Sequence, residues 1–96
     1  MQSTINYEML NSCSNQLKKV ANDMQYITDQ VSNIVKSIEI NEFWVGKGAD
    51  YFQTQYKNII PYFNEAYDQV VNYAIFIENT LIKYEQTDID ISKIVR

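Results

Sequence analysis

From Leu10 to Ile38 the apolar residues fall at Leu10, Cys13, Leu17, Val20, Met24, Ile27, Val31, Ile34 and Ile38, in steps that alternate three and four. Four heptads without a miss demand a helix, and their mean of 3.5 residues is that of a seam running along a second helix. The intervening positions are polar, among them Asn15, Lys18, Asn22, Asp29 and Asn33. Ser3 or Thr4 is placed to cap the start of this helix, with Glu8 on the favourable side of its dipole. On this stripe Cys13 reads as a small buried hydrophobe rather than a reactive thiol.

A second series, again in steps of three and four, runs through Ala49, Phe52, Tyr56, Ile59, Phe63, Ala66, Val70, Tyr73 and Ile77, then Thr80 or Leu81, to Tyr84. Pro61 lies within it without shifting its phase, so a kink is expected there and not a break. The chain has 96 residues but only two glycines and one proline, too few to turn the many short strands of a sandwich or barrel. Both glycines, Gly46 and Gly48, stand between the two series, where the direction must reverse. Asp50 follows in the first turn of the second helix.

The fold expected is therefore all-α, an antiparallel two-helix hairpin over residues 1 to 88. Helix 1 spans about 4 to 40, the turn about 41 to 48 and helix 2 about 49 to 87, with a flexible tail over 89 to 96. A lone hairpin encloses little core at this length, and helix 2 carries a broad apolar arc. Both favour dimerisation into a four-helix bundle. Ile60, Phe63, Tyr67, Val71, Ala74 and Leu81 are the residues expected to face the partner.

Composition removes most chemistry. With no His and a single Cys there is no Cys/His zinc site, no intramolecular disulfide and no Ser-His or Cys-His pair. Asp88 and Asp90 fall short of the six to eight oxygens that calcium takes. No metal, cofactor or catalytic constellation is expected, so the chain reads as a non-enzyme. A net charge of -4 with scattered Lys and Arg argues against nucleic acid and anionic membranes as partners. The first residues do not form a Sec signal peptide, and no apolar run is long enough to span a bilayer.

Two short motifs carry the functional reading. Trp44-Val45-Gly46 is a Trp-x-Gly tripeptide at the midpoint, between the two amphipathic helices, and Gly48-Ala49-Asp50-Tyr51-Phe52 follows it. Tyr84-Glu85-Gln86-Thr87-Asp88 is a Tyr-x-x-x-Asp motif near the C-terminus, and of the eight tyrosines only Tyr84 has an acid four residues on. Length, hairpin organisation, central tripeptide and terminal motif together resemble the WXG family, the small helical-hairpin proteins exported by type VII (ESX-type) secretion.

That resemblance implies a secreted protein that folds in the cytoplasm and leaves by a non-Sec route, with Trp44 and Gly46 as the turn motif and Tyr84 and Asp88 as the export signal. The partners implied are a second copy, a related hairpin protein or the helical N-terminal domain of a larger toxin, together with a membrane-anchored FtsK/SpoIIIE-type ATPase. Trp44 and Tyr84 lie at opposite ends of one hairpin, so a composite signal needs two hairpins paired antiparallel. Two other readings stand beside the secreted dimer: a dedicated partner that delivers a larger toxin, and a cytoplasmic coiled-coil adaptor. The thirteen Ile and ten Asn suggest an AT-rich, low-GC Gram-positive source.

Overall fold

The computed structural model describes residues 5 to 95, with side chains as far as residue 85. It consists of two helices, α1 (Tyr7–Ile40) and α2 (Lys47–Val95), packed against each other as a hairpin, with no strand among the described residues. The chain forms a rod with extents of 76 × 19 × 17 Å. Asn6, and not Ser3 or Thr4, caps α1: its side-chain oxygen accepts the Met9 amide hydrogen at 3.0 Å. α2 continues through Pro61 as one helix. The tail expected over 89 to 96 lies outside the residues whose side chains are described.

The seam uses only half of the apolar stripe on α1. Leu10, Leu17, Met24 and Ile38 are half-buried in it. The alternate positions are taken by Ser14, Ala21, Thr28 and Val35, each one residue after Cys13, Val20, Ile27 and Ile34. Ser14 and Ala21 are closed off from solvent, while Val20, Ile27 and Ile34 are exposed. Cys13 is exposed too, which corrects the expectation of a buried thiol. The physical reason is that small side chains at Ser14 and Ala21 let the two backbones come close, and the larger β-branched residues beside them are turned outward.

On α2 the same shift occurs. Ala74 is 1% exposed, and Ile60, Tyr67, Val71 and Leu81 are half-buried, whereas Ile59, Ala66 and Tyr73, one residue earlier in each case, are exposed. Two cross-links fix the register between the helices. The Ser14 hydroxyl donates to the Ala74 carbonyl at 3.2 Å, and the Gln53 side-chain amide donates to the Val35 carbonyl at 3.5 Å. In both, the residue numbers sum to 88, so residue i of α1 is level with residue 88 minus i of α2. Lys18 and Glu78 add an ion pair on the surface, which counts for little in stability.

The reversal has two parts. α1 ends in a Schellman motif, in which the Phe43 amide donates to the Ile38 carbonyl at 3.1 Å and the Glu42 amide to Glu39 at 3.2 Å. Glu42 takes the left-handed conformation, φ 52°, which this motif usually gives to glycine. Gly46, at φ 120°, immediately precedes α2, its carbonyl accepting from the Asp50 amide at 3.0 Å.

Candidate functional site

The tip of the hairpin is organised around Trp44. Its ring packs tilted against Phe52, with centroids 5.7 Å apart, and lies over Gly48. A Cβ on Gly48 would come within 3.0 Å of Trp44 Cζ2. The two glycines thus do different jobs: Gly46 supplies a positive φ, and Gly48 supplies room for the indole. The ring remains 49% exposed, flanked by exposed Ile40, Phe43 and Val45. Glu39, Glu42 and Asp50 border the shallow depression beside it. The tip presents exposed apolar side chains beside a margin that carries these three acids and Lys57.

Tyr84 sits at the other end of the rod, exposed, one residue before Glu85, which shares a groove with Tyr7, Glu8 and Glu78. One hairpin keeps Trp44 and Tyr84 apart. Asp88, the acid of the terminal motif, lies outside the residues whose side chains are described. No group of three metal-ligating side chains occurs among the described residues. No helix is long and apolar enough to cross a membrane among those residues.

Between the ends runs an apolar face. Cys13, Val20, Ile27 and Ile34 each precede a seam residue of α1 by one position, as Ile59, Ala66 and Tyr73 do on α2. One position is about 100° around a helix, and because the two helices are antiparallel, that rotation carries both sets to the same side of the hairpin. The side reached by rotating the other way presents Asn15, Asn22, Asp29, Lys36 and Asp68, with Ile75 and Ile82 toward the open end.

Of the six residues expected at a partner interface, Phe63 is exposed on the margin of the apolar face. Ile60, Tyr67, Val71, Ala74 and Leu81 are at the intrachain seam, and Ala74 is sealed there by Ser14. The sequence reading did not single out Val20, Ile27, Ile34, Ile59 and Tyr73 for a partner, although a signal for them exists. Each stands directly before a residue that meets the opposite helix, and in α1 two of those residues are small: Ala21 and Thr28.

A family model described as WXG100, proteins of 100 residues with WXG, matches residues 2–89. No curated protein and no solved structure gives a significant match.

Proposed function

The chain belongs to the WXG100 family, and from that premise we propose that it is a non-enzymatic substrate or component of a type VII secretion system, exported as a folded antiparallel dimer. The family is associated with type VII secretion substrates, and its members generally pair as helical hairpins. The observation that carries the dimer is the apolar face of Val20, Ile27, Ile34, Ile59, Ala66 and Tyr73, left outside the seam. The chain exposes 8015 Å², whereas a compact monomer of its mass exposes about 5,700 Å². Covering the face would remove part of that excess.

Pairing through one face with the rods reversed sets the tip of one copy beside the open end of the other. Trp44 and Gly46 from one chain then join Tyr84 and Asp88 from its partner in one aromatic and anionic patch, present twice in a symmetric pair. In this reading the secretion ATPase recognises that patch, so a lone hairpin is not exported. The chain crosses from the cytoplasm by this non-Sec route.

The test mixes subunits that carry Trp44→Ala with subunits that carry Tyr84→Ala and follows export. Each variant alone destroys both patches, while the mixed pair retains one. Export of the mixed pair is the expected result, and its complete failure overturns the composite signal. A larger protein isolated in stoichiometric complex in place of a homodimer would assign the apolar face to a delivered toxin.

A further inference from the structure

Four of the eight tyrosines, Tyr51, Tyr62, Tyr73 and Tyr84, are spaced by eleven residues without exception. Eleven residues are three turns with about 20° left over, so the four lie in one row along α2, about 16 Å apart. All four are exposed, at 68, 70, 56 and 39% in chain order. That gradient is the small rotation of the row made visible, since the row drifts from the back of α2 near the tip toward the apolar face at the open end. The strip it follows, filled in by Gln55, Ile59, Ala66, Gln69, Phe76 and Thr80, carries no charge. Uncharged and tyrosine-rich surface is the composition of a protein interface and not of a solvated helix back. The Tyr73 hydroxyl already donates to Gln69 at 3.2 Å, which lays the ring along the helix.

The row is its own mirror in sequence. In a face-to-face antiparallel pair with two-fold symmetry, the axis crosses the rods at right angles, so α2 of one copy must lie over α2 of the other, reversed. Residues then meet in pairs of constant sum. If that sum is 135, Tyr62 meets Tyr73 of the second copy, Tyr51 meets Tyr84, and Ile59 meets Phe76. The next registers the row allows are eleven residues away, with sums of 124 and 146. The former sets Tyr62 on the axis against itself, Ile59 at the level of Glu65 and Tyr84 beyond the start of α2; the latter sets Tyr73 on the axis against itself and Tyr51 at the level of Val95. The register of sum 135 matches Ile59 to Phe76 and Gln55 to Thr80, sets Ala66 against Gln69, and uses all four tyrosines.

We infer that the tyrosine row is the register key of a homodimer, with Tyr51 against Tyr84 and Tyr62 against Tyr73 of the second copy. This rests on the antiparallel dimer proposed above and adds what holds it in one alignment. It also gives Tyr84 a structural neighbour: Tyr51 near the start of the other copy's α2, at the end of the rod that carries Trp44. Sliding by a turn would cost the tyrosine pairings and move the two halves of the export patch out of line.

The experiment uses the full chain with Cys13→Ser, carrying Tyr62→Cys and Tyr73→Cys together or singly. A bismaleimide spanning roughly 8 to 10 Å is added, and mass is measured by sedimentation without cross-linker. The two-cysteine chain is expected to become chiefly covalent dimer. Each single variant stays uncoupled, because identical residues on either side of the axis are about 16 Å apart. Tyr51→Cys with Tyr84→Cys, read in the same way, keeps the test decisive if the inner substitutions weaken association. Self-coupling of Tyr62→Cys alone would move the axis onto Tyr62 and overturn the register while the dimer stands. A dimeric mass with neither pair coupled would overturn it as well. A single-hairpin mass for the Cys13→Ser parent would remove the dimer and the row's role with it.

Discussion

Ser14 donates its hydroxyl hydrogen to the backbone carbonyl of Ala74 at 3.2 Å, across sixty residues of sequence, and both residues are sealed from solvent. A side chain longer than serine could not stand there without pushing the helices apart. The bond therefore marks a close approach of α1 and α2 in the part of the rod nearer the open end.

Substitution at Ser14 should separate packing from hydrogen bonding. The Ala74 carbonyl lies within α2, so Ser14→Ala should cost only about 0.5–1.5 kcal/mol. Ser14→Leu should cost about 1–3 kcal/mol or more through overpacking. Urea denaturation of the two variants measures both. Equal losses would mean that the contact is not close-packed.

The two sides of α1 should respond differently to one added charge. Ile27→Asp lies outside the seam and should leave helicity intact while reducing the particle mass from two chains to one. Ala21→Asp, buried in the seam, should unfold the hairpin itself. Circular dichroism and sedimentation of the pair distinguish the faces, and retained dimer mass in Ile27→Asp would contradict the proposed interface.

At the reversal, glycine should help at one position and be irreplaceable at another. Glu42 holds a left-handed φ of 52°, so Glu42→Gly should stabilise the chain by about 1 kcal/mol. Gly46 sits at φ 120°, where Gly46→Ala should lose about 1–3 kcal/mol. Thermal melts give the opposite signs directly.

Gly48→Ala should act on the tryptophan more than on the fold. The added methyl meets Trp44 Cζ2 at 3.0 Å, and a half-exposed ring has space to swing away. Better helix propensity, up to about 1 kcal/mol, offsets the lost contact with Phe52. The expected result is red-shifted Trp44 emission with little change in melting temperature. An unchanged spectrum would show that the ring does not rest on Gly48.

Cys13 reports the relative direction of the two rods. In the antiparallel register its counterpart lies roughly 20 Å away along the pair, too far for a disulfide. Oxidation should therefore yield no covalent dimer of the unmodified protein on a non-reducing gel. A covalent dimer would instead mean that the two α1 helices lie side by side at the same level, which contradicts the antiparallel register.

The helices and their reversal were legible in the sequence because a 3.5-residue period and two glycines separated only by Lys47 leave few alternatives. The side facing inward was not. Apolar spacing places Cys13, Val20, Ile27 and Ile34 as close to the seam as Ser14, Ala21, Thr28 and Val35, and hydrophobicity alone prefers the first set. Backbone proximity favours the second, since small residues allow the helices to approach. The same reasoning explains why Ala74 looked available to a partner and is covered by its own chain. At the tip, Trp44 and Gly46 were recognisable as a motif, but the division of labour between Gly46 and Gly48 depends on a dihedral angle and a ring position that no spacing encodes.

The rod is nearly as thick as it is wide, 19 by 17 Å across its axis. Stacking a second copy on one broad side roughly doubles one of these dimensions and leaves the other as it was. A translocation channel that accepts the paired form must then open to an oblong aperture, with the cargo entering end-on and in either of two equivalent orientations. The tip of one chain and the open end of the other would reach the entrance together, so the channel would meet the same recognition surface whichever end arrived first.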